Sequence, residues 1–544
     1  MLRLRQIFSH QINSLTIAAA LVALSSLASR LLGVVRDRIL AGSFGAGREL
    51  DVYYAAFRVP DLIFNLVVLG ALSAGFIPVF SALIKQFKPT RSSENDSAWR
   101  LAGNVMNFLL LGLLILSVLG ILFADPLVRL IAPGFDSQAQ AETAKLTRIM
   151  FLSPIFLGLS GILGGILQSF KRFLIYSLAP IFYNLGIIVG ALYFVRLWGV
   201  AGLAWGVVLG AGLHFLVQLP SVYHLGFRYR FSLDRHDFGT RQIGKMMVPR
   251  TLSLAISQIN LVVITVIASG LSSGSLAVFN FANNLQSLPV GLFGISFAIA
   301  AFPALSAAAF DANRLRENFS SAMRQILFFI IPATVVLIAL RAQIIRVVLG
   351  TGNFSWQDTI LTMNALAYFS FSLFAQATVP LLVRVFYARR DSAAPFYLGL
   401  VSVLANIGLS FWLGPKLGVA GLALAYSISN ILNFVLLAVW LSLKVGNLDA
   451  RRITMSVLKF AAAALAAGLA AQLVKVPAAN LVNMATFTGV FVQLIVSLAA
   501  AALAYAFFCY LLRSEEFFGL MAALRSRLSF KKSPVDDQGE ARGV

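Results

Sequence analysis

The sequence predicts an all-α polytopic membrane protein with about fourteen transmembrane helices. Three observations carry that prediction. The 544-residue chain is 59% hydrophobic and only 12% charged, with a mean hydropathy of +0.86; a water-soluble domain of this size does not have such a composition. Its apolar residues gather into stretches of about 20, the length that crosses a hydrocarbon core. Its basic residues gather into alternate short segments between those stretches.

The stretches centre near Ala23, Leu62, Leu113, Leu157, Ile187, Leu209, Leu254, Leu292, Ile330, Phe371, Leu404, Leu432, Leu465 and Ile495. No small-residue cleavage pattern follows the first, so it reads as a retained helix. The second, eighth and tenth are long and interrupted, at Pro60, Pro78, Pro289, Gly291, Pro303 and Pro380. Such breaks are tolerated where a helix bends or lines a cavity.

Basic segments occur at Arg3 and Arg5, Lys85 to Arg91, Lys171–Arg172, Arg228 to Arg241, Arg314–Arg316, Arg389–Arg390, Arg451–Arg452 and Arg525 to Lys532. The intervening loops, Ala124–Lys145 among them, are short or mixed. The positive-inside rule then places both termini in the cytoplasm, as an even number of spans requires. A net charge of +22 would suggest nucleic acid in a soluble protein. Here it sets topology and touches anionic lipid, and no nucleic-acid partner is expected. Cys509 is the only cysteine, so no intrachain disulfide forms. His10, His214, His224 and His236 match no metal-ligand spacing, and no cofactor motif is present.

The chain repeats itself. GFIPVFSA at 75–82 echoes AAFPALSA at 300–307, GVAGLA recurs at 199–204 and 418–423, and Ser169–Pro180 parallels Arg384–Pro395. Three matches in one order at nearly one offset indicate two homologous halves. The expectation is a six-helix lobe over 1–225 and another over 240–450. A pseudo-twofold axis along the membrane normal relates them, with a cleft between as in alternating-access transporters. Residues 451–513 form an extra helix pair, and 514–544 a polar, loose cytoplasmic tail.

Chemistry concentrates in Ser29–Pro78. Arg30, Arg36, Asp37, Arg38, Arg48, Asp51, Arg58 and Asp61 stand between apolar segments. Each charge at membrane depth costs about 2.5–3.5 kcal/mol on insertion scales, so such groups line wet cavities or bind ligands. Helical spacing puts Ser26, Arg30, Gly33 and Asp37 on one face, and Asp51, Tyr54, Arg58 and Asn65 on one face of the next helix. Two mostly cationic faces turned to a common interior suit an anion. Arg30, Arg36 and Arg58 are the candidate binding residues, with Arg250 at the start of the seventh span. Asp37 and Asp51 are candidates for gating or salt bridges; Asp51 also suits a helix N-cap. Arg38 reads as a side chain extending to a membrane interface. GSFGAG at 42–47 lacks the strand and the Lys of a phosphate loop and reads as a tight turn. The GxxxG at Gly206–Gly210 reads as close helix packing. No paired carboxylates, HExxH, GxSxG or nucleotide motif marks an enzyme.

SRLLGVVRD, FGAG with Asp51 after it, AGFIPVFS, APGF at 132–135, ISQINL at 256–261, PVGLFGI at 289–295, FPALS at 302–306 and FYARRD at 386–391 together resemble the MurJ/MviN family of lipid II flippases. The resemblance implies the fold of the multidrug/oligosaccharidyl-lipid/polysaccharide exporter superfamily. It implies a lipid-linked oligosaccharide flippase. Its substrate is an undecaprenyl-pyrophosphate-linked glycan, moved from the inner to the outer leaflet of the bacterial cytoplasmic membrane. The family's basic and acidic positions fall on Arg30, Arg36, Asp51 and Arg58. The chain departs from the family pattern at Phe64, Leu69–Gly70 and Asn283–Asn284, so its C-terminal half carries less charge. Na⁺ or H⁺ is the candidate coupling ion. The alternatives are a cation-coupled multidrug exporter of the same superfamily, which would need carboxylates in its cavity, and a non-transporting scaffold of a cell-wall complex, which would need no intramembrane charge.

Overall fold

The computed structural model describes residues 15–70, 75–85 and 92–528. Regular structure among them is helical. In chain order the helices are α1 (Leu15–Phe44), α2 (Arg48–Ile63), α3 (Ile77–Lys85), α4 (Ser92–Leu122), α5 (Ala124–Ile131), α6 (Ser137–Met150), α7 (Ser153–Ser169), α8 (Phe173–Val189), α9 (Val195–Trp198), α10 (Ala201–Leu216), α11 (Leu219–His224) and α12 (Phe238–Ser269). There follow α13 (Ser275–Pro289), α14 (Ser296–Ala307), α15 (Ala312–Ala339), α16 (Arg341–Val348), α17 (Trp356–Ser370), α18 (Leu373–Ala388), α19 (Ala393–Leu417), α20 (Val419–Val445), α21 (Ala450–Leu481), α22 (Phe487–Leu511) and α23 (Glu515–Leu528).

Ten helical segments among the described residues are long and apolar enough to cross a membrane, or eleven with the bent pair α17–α18 counted as one. The expected fourteen are not reached by this measure. The three remaining stretches fall on α1, α2 and α12, and each carries charge: Arg30, Arg36, Asp37 and Arg38 on α1; Asp51, Arg58 and Asp61 on α2; Arg241, Lys245 and Arg250 on α12.

The three long spans depart from a regular α-helix in different ways. A π-turn at Phe64–Leu69 follows Pro60, and another at Val290–Ile295 follows Pro289. Proline removes a backbone donor and crowds the preceding turn, and a wider π-turn absorbs that misfit. In the tenth span the 44° bend falls between Ser370 and Leu373, upstream of Pro380, which lies inside α18.

The chain divides into two compact units. The first comprises Met1–Leu288, Arg341–Ala375 and Asp391–Leu437. Within it α8 and α10 pack backbone to backbone. A Cβ on Gly186 would lie 2.2 Å from Gly210 Cα, and one on Gly190 would lie 2.5 Å from Gly206 Cα. Only glycine permits that approach, which is the close packing that the GxxxG pattern predicts. A second core of this unit is aromatic: Phe76 stacks on Phe80 at 5.1 Å and Trp99 on Phe170 at 5.7 Å. Buried Leu101, Ile162, Leu163 and Ile166 surround them.

The second unit comprises Pro289–Leu340, Gln376–Arg390 and Ala438–Val544. Here α21 and α22 form an antiparallel pair against α15. Gly468 leaves room for Val335, Tyr505 Oη donates to the Phe328 carbonyl at 2.7 Å, and Gln472 Nε2 donates to the Ala339 carbonyl at 2.8 Å. The expected loose tail begins instead with a helix, α23. Buried Arg324 pairs with Glu515 at 3.0 Å and with Glu516, and Arg452 pairs with Glu515 at 2.6 Å. Acidic residues at the N-terminus of α23 also suit its helix dipole. Residues 529–544 lie outside the described residues.

Candidate functional site

Helix α2 builds the site. Its first turns pack inward through Leu50, Val52, Ala55 and Ala56, all fully buried. Tyr54, Arg58 and Asp61, at i, i+4 and i+7, share one helical face. That face borders a cavity of about 390 Å³, which Arg36, Tyr53, Tyr183, His214, Asn280 and Asn284 also line. The cavity lies within the first unit. Charge in it is mixed: two guanidiniums and the Asp61 carboxylate, among aromatic rings and carboxamides.

Each guanidinium is aimed by neutral or acidic partners. Arg58 donates from Nε to Thr265 Oγ1 at 2.9 Å and from Nη2 to Asn280 Oδ1 at 3.1 Å. Arg36 donates from Nε and Nη2 to Asp37 Oδ1 at 3.0 and 2.8 Å, and from Nη1 to Asn184 Oδ1 at 3.1 Å. The second Asp37 oxygen accepts from Asn284 Nδ2 at 2.8 Å. Asp37 is thus a buried anchor for Arg36. A guanidinium has five donors, so Arg58 keeps three and Arg36 two for a ligand. Planar forks of this kind match phosphate oxygens.

Other candidates take different places. Arg30 lies about 120° from Arg36 around the helix, at 100° per residue. It is partly buried, makes no hydrogen bond or ion pair among the described residues, and is not part of the cavity lining. The Arg250 side chain lies outside the described residues. Asn65 turns to its own helix, donating to the Asp61 carbonyl at 2.8 Å. Arg38 donates to the carbonyls of Val347 and Val348, capping the C-terminus of α16, where unsatisfied carbonyls favour a cation.

Asp51 caps a helix other than its own. Its Oδ2 accepts from Gly274 N at 2.6 Å and its Oδ1 from Ala277 N at 2.8 Å, at the start of α13. The clasp depends on glycine. Gly274 has φ +88°, and a Cβ there would lie 1.8 Å from the Ala46 carbonyl oxygen. Around it, Asn353 N donates to the Gly42 carbonyl at 2.9 Å, Ala46 N to Asp358 Oδ2 at 3.3 Å, and Gly134 N to Ser269 Oγ at 3.1 Å. GSFGAG is therefore the end of α1 and a tight turn whose backbone meets two other loops, at Gly274 and around Asn353, while Gly134 of APGF packs on Ser269 and Gly270.

Sequence reasoning did not single out Tyr183, Asn184, His214 or Asn280. Each is an isolated polar residue in an apolar span, and the rule that intramembrane polar groups are functional by default is the signal that finds them.

Residues 40–492 match the family model described as lipid II flippase MurJ. Relatives include a probable lipid II flippase MurJ of Rhizobium tropici, 32% identical over 77% of this chain and 79% of that protein. A lipid II flippase MurJ of Burkholderia cenocepacia is 29% identical over 76% of this chain and 81% of that one. Among solved structures, lipid II flippase MurJ in an inward closed conformation matches with a TM-score of 0.74 at 25% identity, covering 90% of this chain and 99% of that one. An inward-facing MATE family multidrug resistance transporter of the MOP superfamily shares the fold, with a TM-score of 0.64 at 17% identity over 78% of this chain. With its multi-span helical fold and most of its length matched, this chain belongs to the lipid II flippase MurJ family.

Proposed function

We propose that this chain is a lipid II flippase that holds the substrate's pyrophosphate in the cavity between α1, α2 and α13. The observation that carries the reading is the pair of oriented guanidiniums, Arg36 and Arg58, on a cavity closed by apolar and carboxamide walls. A pyrophosphate needs forked cationic donors. Arg30, without a partner among the described residues, supplies a further cation on the route to or from that cavity, and Arg250 another. The Asp51 clasp on Gly274 and Ala277 is the gate of alternating access, opening when its two hydrogen bonds break. The exporter alternative asks for a negative cavity, and Asp61 is outnumbered by the guanidiniums that line it.

The protein acts without covalent chemistry, in the bacterial cytoplasmic membrane, with both termini in the cytoplasm. Two six-helix lobes over 1–225 and 240–450 rock about a pseudo-twofold axis, and an ion gradient or the membrane potential drives them. Anionic lipids contact the basic loops. Cysteine at Ser137 should react with an impermeant thiol reagent in intact cells and cysteine at Arg235 should not; the reverse would overturn the topology. For the activity, the purified protein in vesicles should move labelled lipid II between leaflets. Vesicles that transport no faster than protein-free ones would overturn the assignment.

A further inference from the structure

We propose that His214 is a ligand of the substrate's phosphate group, and that substrate binding takes up one proton at its Nε2; this rests on the function proposed above. His214 lies on α10 and lines the same cavity as Arg36 and Arg58. Its ring is held from behind. Ser160 Oγ is 2.6 Å from His214 Nδ1 and 3.0 Å from the His214 carbonyl oxygen, and Gln218 Nε2 donates to Ser160 Oγ at 2.5 Å. Tyr183 meets the imidazole edge-on, with centroids 6.4 Å apart. Nε2 has no partner among the described residues.

We take the neutral ring to carry its proton on Nδ1, the tautomer in which Ser160 Oγ accepts from it. A hydroxyl has one proton and two acceptor sites. In that arrangement Ser160 donates its proton to the His214 carbonyl, which also accepts from Gln218 Nε2 at 3.1 Å, and accepts from Gln218. Its remaining lone pair accepts from His214 Nδ1. Nε2 then carries a bare lone pair towards a cavity built for an anion. A lone pair facing a phosphate oxygen is repulsive. With a proton on Nε2, drawn from solvent, the same contact is a charge-assisted hydrogen bond. Binding and protonation are therefore coupled, and by linkage each strengthens the other.

Histidine is suited to this role because a neutral imidazole has one bare nitrogen that can take up a proton. The titratable and charged groups facing it are Arg36 from α1, Tyr53, Tyr54, Arg58 and Asp61 from α2, and Tyr183 from α8. α7 and α13 face it with uncharged side chains. Phenols and guanidiniums ordinarily titrate near or above pH 10, so Asp61 is the one rival as the proton acceptor.

The test uses the full-length protein in nanodiscs and lipid II, whose pyrophosphate diester keeps its charge near neutrality. Affinity should fall by about tenfold or more from pH ~6 to ~8, since one linked proton gives up to a decade per pH unit. Calorimetry in two buffers of different ionisation enthalpy should register uptake of close to one proton. His214→Gln should bind with a flat pH profile and take up none, and Asp61→Asn should keep the uptake. Flat binding without uptake by the unmutated protein overturns the inference and leaves the flippase reading standing. Uptake lost in Asp61→Asn but kept in His214→Gln also overturns it. No lipid II binding by the unmutated protein at any pH overturns both.

Discussion

Replacing Arg58 by alanine tests the cavity most directly. Its guanidinium is fixed by Thr265 and Asn280 at 2.9 and 3.1 Å, so its remaining donors meet a ligand without further ordering. A hydrogen bond to a charged group contributes about 1.5–3 kcal/mol, and a tenfold change in affinity corresponds to about 1.4 kcal/mol. Arg58→Ala should therefore weaken lipid II binding by about tenfold to a hundredfold. Stability should change less. Thr265 keeps its bond to the Leu261 carbonyl and Asn280 its bond to the Leu276 carbonyl, and only the Asn280 oxygen is left without a donor, a loss of about 1 kcal/mol. Arg58→Lys should recover part of the affinity, because a point charge replaces a planar fork. The assay pairs lipid II binding in nanodiscs with thermal unfolding of the same samples. If Arg58→Ala binds lipid II as tightly as the parent while unfolding at the same temperature, the guanidinium does not hold the anion and the cavity has been misassigned.

Three further outcomes are expected. Arg38→Ala removes the cap of α16 and should lower the unfolding temperature by an amount worth about 1–2 kcal/mol while lipid II affinity is kept; unchanged stability with lost binding would contradict the capping role. Gly274→Ala forces a Cβ to 1.8 Å from the Ala46 oxygen at φ +88° and should cost roughly 2 kcal/mol or more, whereas Gly418→Ala, at φ +62° with nothing within 4 Å, should cost only the backbone strain of about 1–2 kcal/mol. Comparing the two unfolding temperatures decides it, and equal losses would contradict the clasp. Acidification should release α23. The hydrogen bond from Arg452 holds the Glu515 carboxyl below its ordinary value. A depressed carboxyl stabilises above its unfolded value and loses that contribution as pH falls, so the tether should hold above pH ~4 and loosen below it. Spin labels on α23 and α15 should show a broadened distance distribution there, and an unchanged distribution would oppose the idea.

The class of the molecule and most of its spans were legible in the sequence by itself. Hydropathy is a sum over neighbours, so apolar stretches of bilayer length declare themselves whatever they pack against. The π-turns of the second and eighth spans were legible because each follows a proline, which acts on its own backbone, whereas the bend of the tenth falls between Ser370 and Leu373, upstream of Pro380. The GxxxG at Gly206–Gly210 was legible because only the absence of a side chain allows the approach to Gly186 and Gly190. Arg36 and Arg58 stood out because charge at membrane depth needs a reason. The tertiary structure alone decided which face of α1 meets the cavity. Four charged residues within nine positions point around most of the helix, and the neighbours Asn184, Asn284 and Val347 sort Arg36, Asp37 and Arg38 into cavity-lining cation, anchor and cap. It decided that Asp51 closes the start of α13, a partner more than two hundred positions away. It also decided that His214, one of four scattered histidines, stands in the same cavity as the arginines. Partners distant in sequence leave no local pattern, because folding sets their proximity and hydrophobic periodicity records only which residues are hidden.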